Sequence, residues 1–381
     1  MGNSRRFWEV AAILTAATVG DGIFALPFVF LKSGWLLGLL YLAILAAIVT
    51  GAHVVYLKTL EKVGEKERLL GLARKYFGAS GFWIGFAAIV LGLLLTLVAY
   101  IILGSQFIRL GFPGLPSAIP LVIFWIFLAA IALLGDSRLT QLELTGIIFT
   151  TIVILLIFVT ALPRVGFDGS PVINPQNLFL PFGAVLFSLA GWTGVEPAYE
   201  LRRRMRGGRS GARGRARRTA SIWPALAMGT VFAALLYAMF AAGVLGTAPQ
   251  ITSDTISGLG AWPIWKRDIV AALGLFAVAT VSMPITREIK SSLEKDLRWN
   301  KIVSRSLIVF FPPACILLGL NNFLTVVGIV GGVFLSTQYL LIVSVGRRAL
   351  KLSLAKNILL DIVAIIFIAA AIYQIATFIV R

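Results

Sequence analysis

"TVGDGIFALPF", residues 18–28, lies in the middle of an apolar run that begins near Phe7 and ends near Leu31. A run of that length crosses a bilayer as a helix, because about 20 apolar residues span the hydrocarbon core. Its centre nevertheless carries Gly20, Asp21 and Gly22, with Pro27 just beyond. Glycine loosens a helix, proline removes a backbone donor, and a carboxylate is costly in hydrocarbon. Non-helical backbone at that depth is tolerated only where it lines a cavity or meets a ligand. The stretch therefore reads as a functional break in a membrane helix.

The rest of the chain agrees with a membrane setting. Of 381 residues 59% are hydrophobic and 13% charged, with mean hydropathy +0.94. That composition excludes a soluble globular domain. Eleven apolar runs follow one another, approximately 7–31, 34–60, 80–110, 118–135, 140–162, 180–200, 219–247, 264–288, 303–320, 322–345 and 357–380. The basic residues set their orientation. With the N-terminus cytoplasmic, 28 of the 34 Lys and Arg fall in inner segments, and Lys32, Arg109, Arg164, Lys266, Arg267 and Arg381 lie outside. This is the positive-inside bias, and it puts the C-terminus outside a plasma (cytoplasmic) membrane. Arg5 and Arg6 followed by an apolar stretch mimic a signal peptide, but the run is too long and no small-residue cleavage site follows.

A second run breaks as the first does. Residues 186–200 read "LFSLAGWTGVEPAYE", with Gly191, Gly194 and Pro197 mid-span and Glu196 beside the proline. The two broken runs are five spans apart, so two five-span repeats would lie inverted in the membrane. Paired Gly/Pro-interrupted spans in two halves point to a secondary-transporter site. The expected fold is an all-α integral membrane protein of about eleven helices, a 5+5 inverted repeat with discontinuous helices 1 and 6. Residues 1–381 form one transporter domain: repeat one about 7–162, repeat two about 180–345, and an extra helix 357–380. An unwound helix offers N–H groups at one half-helix start and C=O groups at the other half's end. The first attract a carboxylate and the second an ammonium or a cation. An α-amino acid carries both charges on one carbon.

At these residues the chain resembles a known family. "GDGIFALPFVFLKSGWLLG" is similar to the first-helix signature of the amino acid/auxin permease family, in the amino acid–polyamine–organocation superfamily, through Gly20, Gly22, Ile23, Ala25, Leu26, Pro27, Gly34 and Trp35. "FSLAGWTGVEPAYE" resembles its sixth helix. The resemblance implies the fold of the bacterial leucine transporter and ion-coupled uptake of neutral or aromatic L-amino acids by alternating access. It implies that the amides of Gly20, Asp21 and Gly22, beside Val19, hold the substrate carboxylate. It further implies that carbonyls of the sixth helix near Phe187, Ser188 and Ala190 hold the ammonium, that Gly191 and Trp192 also line the substrate site, and that Tyr100 hydrogen-bonds the carboxylate. The fold's sodium site would use carbonyls near Ala16 and Val19 with hydroxyls of the eighth span. There Thr280 and Ser282 are the candidates, two residues apart and so on different faces of a regular helix. The coupling ion is H+ or Na+; no organic cofactor is expected.

Asp21 reads either as a proton carrier or as the cap of the second half-helix. Glu196 either gates and relays protons or pairs with arginines at the inner face. His53 packs or relays, and Trp192 lines the pocket or wedges the break. The loop 202–218, "RRRMRGGRSGARGRARR", has nine arginines and no aromatic residue to stack on a base, so it reads as lipid-facing and no nucleic-acid partner is expected. Residues 58–79 read as a small interfacial helix, and the outer loop 248–263 as a cover for the outer mouth. A single cysteine, Cys315, excludes an internal disulfide. No nucleophile–base or metal constellation suggests an enzyme. The rival readings are a carrier of cationic amines or polyamines, with Asp21 and Glu196 as counter-charges, and a non-transporting amino acid sensor.

Overall fold

The computed structural model describes residues 2–64, 68–133, 148, 151–152, 154–162, 171–207, 222–248, 250–350 and 352–380, and of 2–6, 21, 204–207 and 378–380 the backbone alone. Among these residues there is no strand. The first crossing is two half-helices, α1 (Gly2–Thr18) and α2 (Leu26–Ser33), joined through a 3-10 turn over Asp21–Ala25. The segments Phe7–Thr18 and Gly22–Ser33 meet at 53°. Pro27 stands in the first turn of α2, where the missing N–H breaks no hydrogen bond. Gly34 links α2 to α3 (Trp35–Val63) at φ +101°, which favours glycine. Its neighbours donate to the segment after the fifth apolar run, Trp35 N to Pro171 O and Leu36 N to Val172 O.

Next comes α4 (Leu69–Gly111). Gly78, at φ +66°, kinks it, so residues 69–77 form the short helix expected in 58–79 and the crossing starts after the kink. A π turn over Ala87–Leu91 interrupts the crossing. There follow α5 (Ala118–Leu133) and α6, described over 154–162. The sixth crossing is again split, into α7 (Leu180–Ser188) and α8 (Val195–Gly207), with a 3-10 turn at Trp192–Gly194 between them. Most of the arginine-rich loop lies outside the described residues. The chain continues through α9 (Trp223–Thr247), α10 (Ile264–Asp296), α11 (Lys301–Leu317), α12 (Phe323–Leu350) and α13 (Leu354–Val380). Asn300 and Asn322 cap α11 and α12, their side chains accepting from Ile302 N and Thr325 N. A π turn over Val330–Leu335 in α12 packs against the π turn of α4.

Among the described residues six helices are long and apolar enough to cross a membrane, and the bent first pair, taken as one span, makes a seventh. Lipid-facing positions are marked by exposed apolar side chains such as Ile302, Phe310, Leu317 and Ile365, a belt that a soluble protein does not present. Burial sorts the crossings. In α4 78% of the most apolar window is buried, in α13 22%. α4 is thus the inner pillar, packed on α5 and α10, and α13 is peripheral. α1 lies on α9, α3 on α12, and α7 on the π turn of α12. Both broken crossings are thereby held inside the bundle.

Candidate functional site: two facing helix breaks

The breaks touch. The position a β-carbon would take on Gly22 is 2.7 Å from Phe187 Cδ1 and 2.6 Å from Ser188 Oγ. A β-carbon on Gly194 would meet Ala17 Cβ at 2.7 Å, and one on Gly191 would collide with the Thr18 hydroxyl. Glycine is required here because two backbones approach more closely than side chains allow.

One side chain outside both breaks joins them. Tyr237 in α9 is fully buried. Its hydroxyl lies 2.7 Å from Thr18 O at the end of α1 and 2.7 Å from Ser188 O at the end of α7, and accepts from Gly20 N at 3.3 Å. A helix end leaves carbonyls without intrahelical partners and a helix start leaves N–H groups. Tyr237 supplies its one proton and its lone pairs to both kinds. The sequence reading missed this residue. Thr18 Oγ1 adds a buried polar atom with no hydrogen-bond partner at the same junction.

The remaining expected residues fall into three groups. Val19, Gly20, Gly22, Phe187, Ser188, Ala190 and Gly191 sit at the two breaks. Tyr100 is beside them, its hydroxyl 4.0 Å from a β-carbon built on Gly20. The Asp21 backbone starts the 3-10 turn, and its side chain lies outside what is described. Trp192 belongs to a second group. It is buried, and its indole N–H donates to Gln338 Oε1 in α12 at 2.6 Å, while Gln338 Nε2 donates to Ala88 O in the π turn of α4 at 2.8 Å. This hydrogen bond ties the second break to α12, in keeping with the wedge role that the sequence left open beside a place in the pocket. The third group is the sodium set. The α10 side chain that reaches Gly20 is Val281, at 3.7 Å from the built β-carbon. Thr280 and Ser282 flank it and donate to their own helix, Thr280 to Ala277 O at 2.8 Å and Ser282 to Ala279 O at 2.6 Å. Val19 N donates to Thr15 O, so the α1 winding passes Ala16 unbroken. The face of α10 that meets Gly20 thus carries a valine between the two hydroxyl candidates.

Over the first break Phe24 lies edge-on to Phe107 at 5.2 Å and to Phe240 at 5.3 Å. The outer loop folds onto this cover: Thr255 Oγ1 donates to Phe24 O at 2.5 Å. The breaks are packed shut, with Val19, Ile23 and Leu189 fully buried. A cavity of about 250 Å³ lies instead beyond the cover, between Gln106, Arg109, Pro113, Ser257, Gly260 and Arg267. At the two breaks the glycine backbone of each packs directly on residues of the other.

At the opposite end of the bundle, Glu196 finds an arginine, but not one of the 202–218 loop. Arg68, just before α4, reaches it at 3.3 Å through Nε. Its other nitrogens contact the Glu288 carboxylate and the Ser291 hydroxyl on α10. Tyr56 of α3 donates to Glu196 Oε1, and so does Leu69 N at 3.4 Å. Desolvation works against the Arg68 charge, but Glu288 and Glu196 more than offset it and raise its pKa. Arg202 pairs with Glu61. His53 is fully buried and shares a hydrogen bond of 3.2 Å with the Tyr339 hydroxyl.

Comparison with known proteins follows the same lines. No curated protein matches the sequence. Residues 3–177 match the model of the tryptophan/tyrosine permease family. Among solved structures, the chain is similar to MhsT in complex with L-phenylalanine, at 13% identity and TM-score 0.62 over 96% of this chain and 97% of that one. It is similar to Mhp1, a nucleobase-cation-symport-1 family transporter with bromovinylhydantoin bound, at 14% and 0.57 over 97% and 91%. The Eremococcus coleocola manganese transporter gives 12% and 0.57 over 97% and 94%. At such low identity these likenesses give the fold: the chain has the inverted-repeat, leucine-transporter-like architecture with its first and sixth crossings broken.

Proposed function

We propose that this protein is a secondary transporter of aromatic L-amino acids, working by alternating access as an ion-coupled symporter in the plasma membrane. The observation that carries the reading is the pair of facing breaks bridged by Tyr237. The N–H groups at the start of the 3-10 turn and the carbonyls at the ends of α1 and α7, where Tyr237 contacts Gly20 N, Thr18 O and Ser188 O in this packing, match the two charges of a zwitterion. The match of residues 3–177 to tryptophan/tyrosine permeases and the aromatic cover of Phe24, Phe107 and Phe240 favour an aromatic side chain. Kinship with the amino acid/auxin permeases remains part of this proposal, through the first-helix motif. The end bearing Arg68 faces the cytoplasm by the positive-inside rule, which places the N-terminus inside and the C-terminus outside. The bilayer and the substrate are the partners; the reaction is transport, with no chemistry on the substrate and no nucleic acid involved.

Counterflow in liposomes tests this. Labelled L-tryptophan or L-tyrosine should exchange saturably, compete with the unlabelled amino acid and ignore putrescine. Competition by putrescine would favour the amine carrier. Tight binding that stabilises the purified protein against heat, with no counterflow, would favour the sensor.

The coupling ion is proposed to be H+. Asp21 begins the turn at the first break, and its carboxyl is the titratable group that the sequence sets there. Asp21→Asn should keep exchange and lose accumulation driven by an imposed proton gradient. Accumulation retained in that variant would remove Asp21 from the coupling. Sodium-dependent accumulation would point back to Ala16, Val19, Thr280 and Ser282 as a set that forms in another conformation.

A further inference from the structure

The Arg68 contacts join four elements that no short-range contact would hold together. Arg68 stands before α4, Glu196 on α8, Glu288 and Ser291 on α10, and Tyr56 on α3. Glu196 lies 128 residues from Arg68 and Glu288 lies 220. α8 is the half of the sixth crossing that leads from the break to this end, so the end cannot open without parting α8 from α10 or α4. The three charged side chains are mostly shielded, with exposures of 25% for Arg68, 18% for Glu196 and 20% for Glu288.

Among the described groups that act on Glu288, the carboxylates outnumber the cations; Arg287 and Lys290, on the same helix, have contacts of their own. The groups acting on Glu288 are Arg68, Glu196 and Asp296, one cation against two further carboxylates. Lys295 acts on Asp296. On α3 the titratable neighbours are Tyr56, which donates to Glu196, and Glu61, which pairs with Arg202 of α8. One guanidinium cannot neutralise two shielded glutamates, and like charges sharing a site favour retaining a proton on one of them.

We propose that Glu288, sharing Arg68 with Glu196, binds one exchangeable proton, and that this proton keeps the end bearing Arg68 closed. With the proton bound, Arg68 faces one net carboxylate charge and α8 stays against α10. On its loss the two carboxylates repel, and Arg68 satisfies one at the expense of the other. Rising pH on that side thus opens the end. The proposal rests on the reading of the chain as an alternating-access transporter, but it concerns the closure and not the substrate.

The test is accessibility from that end. Cys315 is replaced by serine, and Ala198, buried in the first turns of α8, becomes the only cysteine. Labelling by a membrane-impermeant maleimide is followed from pH 6 to 8 in the full-length reconstituted protein, each rate being divided by that of the same protein unfolded at the same pH, because the thiol's own ionisation speeds the reaction as pH rises; this ratio is the labelling rate that is compared. The rate should rise with pH, by up to about tenfold per unit for a one-proton equilibrium. Glu288→Gln, which imitates the protonated acid, should give slow labelling that no longer depends on pH. Arg68→Ala should label fast throughout. Thermal unfolding of each variant checks that it is folded; should Arg68→Ala fail there, Arg68→Lys with its single point charge takes its place and should label faster than the parent. A pH dependence in Glu288→Gln equal to that of the parent, or flat labelling in the parent itself, overturns the proposal. Flat labelling beside intact tryptophan counterflow removes the clasp alone; pH-dependent labelling without counterflow removes the transport reading alone.

Discussion

Tyr237→Phe should remove most substrate exchange and lower thermal stability together. The ring remains, so packing around α9 is kept, and the loss is that of one oxygen. That oxygen serves Thr18 O, Ser188 O and Gly20 N. Each buried group left without a partner is destabilising by about 1–3 kcal/mol. The folded state should therefore lose several kcal/mol, read as a fall in the midpoint of thermal unfolding in detergent. Exchange of labelled tryptophan should fall at least about tenfold, since a shift of 1.4 kcal/mol in site geometry already changes an equilibrium by that factor. Unchanged unfolding and exchange would mean that water replaces the hydroxyl, and the bridge would not be what aligns the two breaks.

Gly22→Leu should fail earlier, at folding. From the sequence such a variant would be expected to fold and merely block approach to the amides. The structure corrects this. A β-carbon at Gly22 would stand 2.8 Å from Ser188 Cα, in addition to the two side-chain contacts at 2.6 and 2.7 Å. A backbone atom cannot rotate aside, so α7 as a whole would have to withdraw. Overpacking of this kind is destabilising by about 1–3 kcal/mol even for one added methyl group. Gly22→Ala should lower the unfolding temperature, and Gly22→Leu should yield little folded protein by size-exclusion chromatography. Gly20→Ala is the contrast. Its φ is −134° and the nearest atom to a built β-carbon is Val281 Cγ1 at 3.7 Å, so it should fold normally. Its methyl group would lie among Val281, Thr18 O and Tyr100 Oη, and it should weaken tryptophan binding. Equal folding yields for Gly20→Ala and Gly22→Leu would contradict the close approach of the breaks.

Much of this architecture was legible in the residues because its causes are local. Apolar runs long enough to span lipid, glycines that free the backbone and prolines at first-turn positions are all short-range signals. So Gly20, Gly22, Pro27, Gly191 and Gly194 located both breaks. What escaped notice depends on distant partners. Tyr237 sits in a uniformly apolar stretch, "FAALLYAMF", where the one available clue was a hydroxyl that must find a partner in hydrocarbon. Arg68 read as one of many inner-loop cations because Glu196 and Glu288 are far away in sequence. Glu196 was open between gate and arginine partner, and its neighbours make it a member of the clasp. For Thr280 and Ser282 the spacing already argued against a shared face, and Val281 is the residue that turns toward Gly20.

The π turn at Ala87–Leu91 decides where α4 can change length. Such a turn holds one residue more than regular winding needs, the mark of an insertion absorbed on the spot. Losing one residue inside 87–91 would heal the turn and leave the faces above and below in register. Losing one between Gly92 and Tyr100 would rotate Tyr100 by about 100° and carry its hydroxyl away from Gly20. Among descendants of a common ancestor, single-residue gaps in this helix would thus be confined to the 87–91 segment, whereas substitutions could be spread along it.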